Sequence, residues 1–124
     1  MTAAALPNQR PIAVTIVALL YIAVGVGGFV NHFHGLREGR LVRFDGAGIE
    51  LVELMALTAG VFLLRGQNWA RWLALAWIVF HVILSAFGGV AMLAIHAAFC
   101  AAIAGILFRP DASRYFRGSP IKAA

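Results

Sequence analysis

The side chains able to do chemistry in this chain are few, and they sit in apolar surroundings. Four histidines (His32, His34, His81 and His96) and two glutamates three residues apart (Glu50 and Glu53) lie within or beside long uncharged runs. Imidazole and carboxylate together are ligands for zinc, iron, copper or nickel, and both can accept and release protons. An ionisable group surrounded by hydrocarbon is costly and faces the interior of a bundle wherever it occurs. Glu53, His81 and His96 are the plainest cases, with His32 at the end of its own apolar run. A divalent metal held by Glu53, His81, His96 and His32 is therefore one expectation. Haem is disfavoured, because hairpin helices about 8–10 Å apart leave little room for a porphyrin.

The spacing of these residues is not a known ligand motif. Glu50-Leu51-Val52-Glu53 lacks the Glu-x-x-His of di-iron bundles, and the alternation His32-Phe33-His34 suits a strand or loop better than a helix. The competing expectation is that Glu53, His81 and His96 satisfy one another by hydrogen bonds, helped by Ser85 or Thr58. Buried polar groups need partners whether or not they have a function. Cys100 is the only cysteine. It can form no disulfide within the chain and reads as a small buried residue.

The elements that position these groups follow from composition. The chain has 124 residues, of which 62% are apolar and 12% charged. A water-soluble domain of this size lacks the interior to hide so much apolar surface, and a disordered chain would be far more polar. Residues 11–36 and 72–108 contain no Asp, Glu, Lys or Arg. A membrane helix needs about 20 apolar residues. The second run is long enough for two short spans, with Gly88-Gly89 near its centre as a turn. The expected architecture is all-α: an integral membrane protein folded as an up-down-up-down four-helix bundle. Its spans cover about residues 11–33, 49–64, 70–87 and 90–108, a single membrane domain with a basic tail at 109–124. The first apolar run exceeds a signal-peptide core and no small-residue cleavage site follows it, so it is expected to stay. The stretch Gly35–Gly48 reads as a solvated linker.

In this topology every span brings an ionisable group to the same half of the membrane. His81 lies seven residues before Gly88, and His96 seven after Gly89. The two rings therefore share a level about 11 Å below the turn at 1.5 Å rise per residue. Seven basic residues (Arg10, Arg65, Arg71, Arg109, Arg114, Arg117 and Lys122) fall on the side of the termini, against Arg37, Arg40 and Arg43 on the other. Lys and Arg favour the cytoplasm, which places both termini there, with Trp69, Arg71 and Trp72 at the membrane interface. The net charge of +5 is thus explained by topology and anionic lipid, and no nucleic-acid motif is present. Tyr115 and Phe116, flanked by Arg114 and Arg117, suggest a tail lying on the membrane.

Without water to drive helices together, small residues at a helix surface permit close packing. Ala94, Ala98 and Ala102, and beside them Ala97, Ala101 and Gly105, mark the fourth span as a packing helix, within the chain or between copies. Ala23 and Gly27 form a similar pair in the first span. The stretch Arg65-Gly66-Gln67-Asn68-Trp69-Ala70-Arg71-Trp72, running on to Phe80-His81-Val82, resembles a pattern in small bacterial four-span membrane proteins of unknown function. So does Leu107-Phe108-Arg109-Pro110 with Tyr115-Phe116. The resemblance implies a bacterial inner-membrane protein and no particular activity. Three functions then compete. The first is a non-enzymatic accessory or homo-oligomeric membrane component, partnered by the bilayer and by itself or another membrane protein. The second is a metal-binding or redox protein using the His/Glu cluster. The third is a small proton-coupled transporter acting as an oligomer, with Glu53 as its coupling acid.

Overall fold

A computed structural model describes residues 9–37 and 44–118. They form α1 (Ile12–Arg37), α2 (Phe44–Leu64), α3 (Asn68–Ser85), α4 (Val90–Leu107) and the short α5 (Pro110–Arg117), with no strand among the described residues. Helices α1, α3 and α4 are long and apolar enough to cross a membrane. Both α1 and α2 run further than their apolar stretches do. Charged and polar residues do not end a helix by themselves, so α1 continues past His32 and His34, and α2 begins before Glu50. The two histidines are helical, contrary to the strand-or-loop reading. The linker expected at Gly35–Gly48 contracts to a segment that lies outside the described residues.

The tightest contact in the molecule joins α1 to α2. A β-carbon on Gly25 would lie 2.6 Å from the backbone nitrogen of Leu57, and one on Gly60 would lie 2.7 Å from the carbonyl oxygen of Ala18. One on Gly28 would run into the carboxyl group of Glu53. Gly25 and Gly60 let two backbones meet directly, as small residues do in membrane helices, and Gly28 makes room for a side chain. The face of α1 that packs is Val14, Val17, Ala18, Tyr21, Gly25 and Gly28, spaced three and four apart. On α2 the opposing face is Glu53, Ala56, Ala59, Gly60 and Leu63. The Ala23/Gly27 pair is not the one used: both residues are exposed, and nothing lies within 4 Å of a β-carbon on Gly27.

The α2–α3 connection is short because Gly66 takes a left-handed backbone, with φ of 72°. The Gly66 N–H donates to the Leu63 carbonyl at 3.1 Å and the Gln67 N–H to Phe62 at 3.0 Å, the paired bonds of a Schellman helix end. At the opposite end of the bundle Gly89, φ 106°, turns the chain from α3 into α4.

At the Gly66 end, cationic and hydroxyl side chains satisfy carbonyls that helix ends leave without partners. Arg10 Nη1 and the Tyr115 hydroxyl both donate to the Leu64 carbonyl, at 2.9 and 2.8 Å. Arg71 Nη1 donates to the Leu107 carbonyl at 3.2 Å and to Ser113 Oγ at 3.1 Å, and Nη2 donates to Asn68 Oδ1. The guanidinium also lies over the rings of Phe108 and Phe116, at 4.7 and 5.1 Å. Arg71 is wholly buried, its guanidinium turned into the protein. The reason is local: α4 ends beside it, and α5 folds back to bury Ala112, Tyr115 and Phe116. Pro110 opens α5 at a position where no N–H is needed. The tail therefore packs its aromatic face on the bundle rather than on lipid.

Helix α4 is the loosest member. Of its span only 11% is buried, against 28% for α1 and 33% for α3, so it is not the central packing helix expected from its alanines.

Two consequences can be measured. Gly25→Ala must push α2 away, and overpacking of this kind costs about 1–3 kcal/mol, whereas Gly27→Ala has open space and is neutral or mildly stabilising. Thermal unfolding in mild detergent separates them, and equal midpoints would contradict the contact. Arg71→Ala removes the link between α3, α4 and α5, so trypsin should cut at Arg114 and Arg117 much faster than in the parent protein. Unchanged cleavage would show that α5 is held by Tyr115 and Phe116 alone.

Candidate functional site

At the Gly89 end, the four helices bring together the residues singled out by their chemistry. The carboxyl group of Glu53 rests on the backbone of Gly28. His32, one turn further along α1, directs Nδ1 to the Gly28 carbonyl at 2.9 Å. His32 and His81 both lie close enough to Glu53 to interact with it electrostatically, as does Glu50. His81 and His96 face each other across the α3–α4 hairpin, with ring centroids 6.3 Å apart and planes 20° from parallel. That proximity follows from their equal distance from the turn. His34 is exposed on α1 and takes no part.

These groups do not satisfy one another. The Nδ1 of His81 meets the Trp77 carbonyl and the Nδ1 of His96 meets the Met92 carbonyl, each at 2.9 Å. Ser85 donates to the His81 carbonyl at 2.6 Å, and Thr58 donates to the Leu54 carbonyl at 2.7 Å. Every one of these bonds runs back to the residue's own helix. Neither Glu50 oxygen has a hydrogen-bond partner among the described residues, and Glu53 Oε2 has none either. The expected mutual hydrogen bonding among Glu53, His81 and His96 is therefore not found among the described residues: the two histidines bond within their own helices, and Glu53 Oε2 bonds to nothing. A helix offers each histidine a carbonyl one turn back, which no partner across the bundle has to approach.

Because a carbonyl only accepts, each of these rings carries its proton on Nδ1. In the neutral ring, Nε2 is then a bare lone pair. Metal-binding histidines are oriented in the same way. Yet no group of three or more His, Cys, Asp or Glu side chains among the described residues is disposed to hold a metal ion. Glu53, His81 and His96 instead line one cleft of about 380 Å3, and His32 is not among its lining residues.

The cleft has aromatic walls that sequence reasoning missed. Tyr21 and Trp77 meet edge to face with centroids 5.3 Å apart, and Trp77 overlaps His81 at 3.8 Å. Tyr21, Trp77, His81 and His96 thus form a continuous run from α1 through α3 to α4. Both polar edges of the first two are already used. The Tyr21 hydroxyl donates to the Ala74 carbonyl at 2.6 Å, and Trp77 Nε1 donates to the Val52 carbonyl at 2.8 Å. The signal in the sequence was faint: Trp77 sits one turn before His81, and Tyr21 lies mid-span between Ala18 and Gly25.

Comparison with protein-family models, curated proteins and solved structures gives no match. The site has to be read from its own geometry.

That geometry has a spectroscopic signature. Long-range 1H–15N spectra of the protein in detergent should show His81 and His96 with a protonated Nδ1 and an unprotonated Nε2. The opposite tautomer at either ring would overturn the assignment.

Proposed function

We propose that this chain is a four-span component of a bacterial inner membrane, with both termini cytoplasmic, that works as an assembly of its own copies joined through α4. The observation that carries the reading is the exposure of one set of small residues. Ala94, Ala97, Ala98, Ala101, Ala102 and Gly105 all lie on the open surface of α4. In α1, α2 and α3, Ala18, Gly25, Ala56, Ala59, Gly60, Ala70 and Ala74 are buried in contacts between helices, and the exposed small residues Ala23, Gly27 and Ala76 form no comparable double row. Ile95, Ala98, Phe99 and Ala102 outline a shallow groove along the exposed face. Its alanine floor would let a second backbone approach closely, while Ile95 and Phe99 form its sides. A second copy presents the same rows, as a two-fold interface requires.

Helix α2 joins the spans in this reading. It is 21 residues long, about 31 Å at 1.5 Å per residue, and its acids lie toward the Gly89 end, where Glu53 turns to the interior. The basic residues Arg10, Arg65, Arg109, Arg114 and Arg117 gather at the other end, which the positive-inside rule assigns to the cytoplasm.

The test is disulfide formation in native membranes. With Cys100→Ser as background, Ala98→Cys should form a dimer on mild oxidation, while Val26→Cys on the exposed face of α1 should not. Ala98→Leu should weaken association by about tenfold or more, read as loss of cross-linking through Ala101→Cys. Cross-linking through Val26→Cys as strong as through Ala98→Cys, or none at Ala94, Ala98 or Ala101, would count against the α4 interface.

A further inference from the structure

We infer that the cleft between α1, α3 and α4 binds a lipid-soluble organic cation, a hydrophobic protonated amine drawn from the bilayer. The cleft's hydrogen-bond donors are spent, because Tyr21 and Trp77 donate to backbone carbonyls of α3 and α2. The Nδ1 protons of His81 and His96 are committed to carbonyls of their own helices. What remains is acceptors: the two Nε2 lone pairs, and the Glu53 carboxyl group, which lines the cleft. A ligand that fits brings N–H donors and positive charge. A carbonyl compound or an anion finds nothing to receive it.

The walls agree with the floor. The face of an aromatic ring attracts a cation, and Trp77 and Phe99 line the cleft beside the acceptors. The volume of about 380 Å3 lies at the small end of the range for sites that hold organic molecules. The mouth opens sideways: Leu20, Val24 and Phe99 line it and are 52%, 44% and 53% exposed. Those exposed apolar residues lie on membrane-length helices, so a ligand enters from the lipid with its apolar part leading or trailing. A bare metal ion is the poorer match, since no three-donor group is disposed to hold one among the described residues.

The experiment uses the full chain in zwitterionic-lipid nanodiscs, with equilibrium dialysis against three probes sharing one ring system. These are naphthylmethylamine, which is protonated at neutral pH, neutral naphthalenemethanol and anionic naphthoate, each corrected for uptake by empty discs. The amine should be retained about tenfold more tightly than the alcohol, as a charge-assisted hydrogen bond predicts, and naphthoate should not be retained. Glu53→Gln should abolish the preference for the amine. Leu20→Trp fills the mouth while leaving Glu53 and both histidines in place, so it should lower retention even if Glu53→Gln disturbs folding. Equal retention of amine and alcohol, preference for naphthoate, no retention of the amine, or full retention by both variants would each overturn the inference.

Discussion

The contact on which the rest of this molecule depends is the meeting of the α1 and α2 backbones at Gly25 and Gly60. Lipid tails offer helices no hydrophobic reason to associate, so helix pairs in a membrane are held by close packing and by polar contacts across the gap. Here the gap is closed: a single methyl group on Gly25 or Gly60 would strike backbone atoms of the partner helix. The same approach fixes the site. Glu53 sits where it does because Gly28 leaves room for a carboxyl group against the α1 backbone, and His32 is tied to the carbonyl of that same glycine.

A second rule governs how α3, α4 and α5 are added. In an apolar medium, polar side chains must find acceptors inside the protein, and the commonest acceptor is a helix carbonyl with a lone pair to spare. Tyr21 reaches Ala74, Trp77 reaches Val52, Arg71 reaches Leu107, and Arg10 and Tyr115 reach Leu64. Each of these bonds joins separate segments of the chain. Arg71 is the extreme case. No carboxylate neutralises it among its hydrogen-bond partners, and two aromatic faces and three oxygen acceptors surround it instead. Burying a cation is expensive unless it is hydrogen-bonded, and the Nη atoms of Arg71 offset part of that cost by tying α3 to the end of α4 and to α5, while its Nε has no partner among the described residues.

Much of this was legible in the residues. The α3–α4 hairpin is written in an uncharged stretch with a glycine pair at its centre, and that symmetry alone predicted His81 opposite His96. The placement of Glu53 toward the interior followed from the cost of exposing a carboxylate to hydrocarbon. What could not be read was the choice among many small residues. Gly25 and Gly28 were used and Ala23 and Gly27 were not, because the winning face is set by the whole row from Val14 to His32. The burial of Arg71 could not be read for a related reason. It depends on the short α5, whose docking rests on tertiary contacts. Nor does sequence disclose that Tyr21 and Trp77 spend their donors on neighbouring helices.

The loose packing of α4 links the two proposed surfaces. One side of this helix carries His96 and Ile103 toward the cleft, and the other presents the alanine rows. Phe99 lies on the border and lines both the cleft and the groove. A helix buried on one side only has little to fix its distance from α1, which it touches sparsely. A second copy seated in the groove would supply that restraint and press on Phe99 from outside, so association would set the width of the cleft mouth. The alternative arrangement, α4 packed within the chain by its own alanines, would turn the opposite face of the helix outward and carry His96 away from Glu53 and His81. Exposing the small residues and bringing His96 to the cleft are therefore two results of the same placement of one helix.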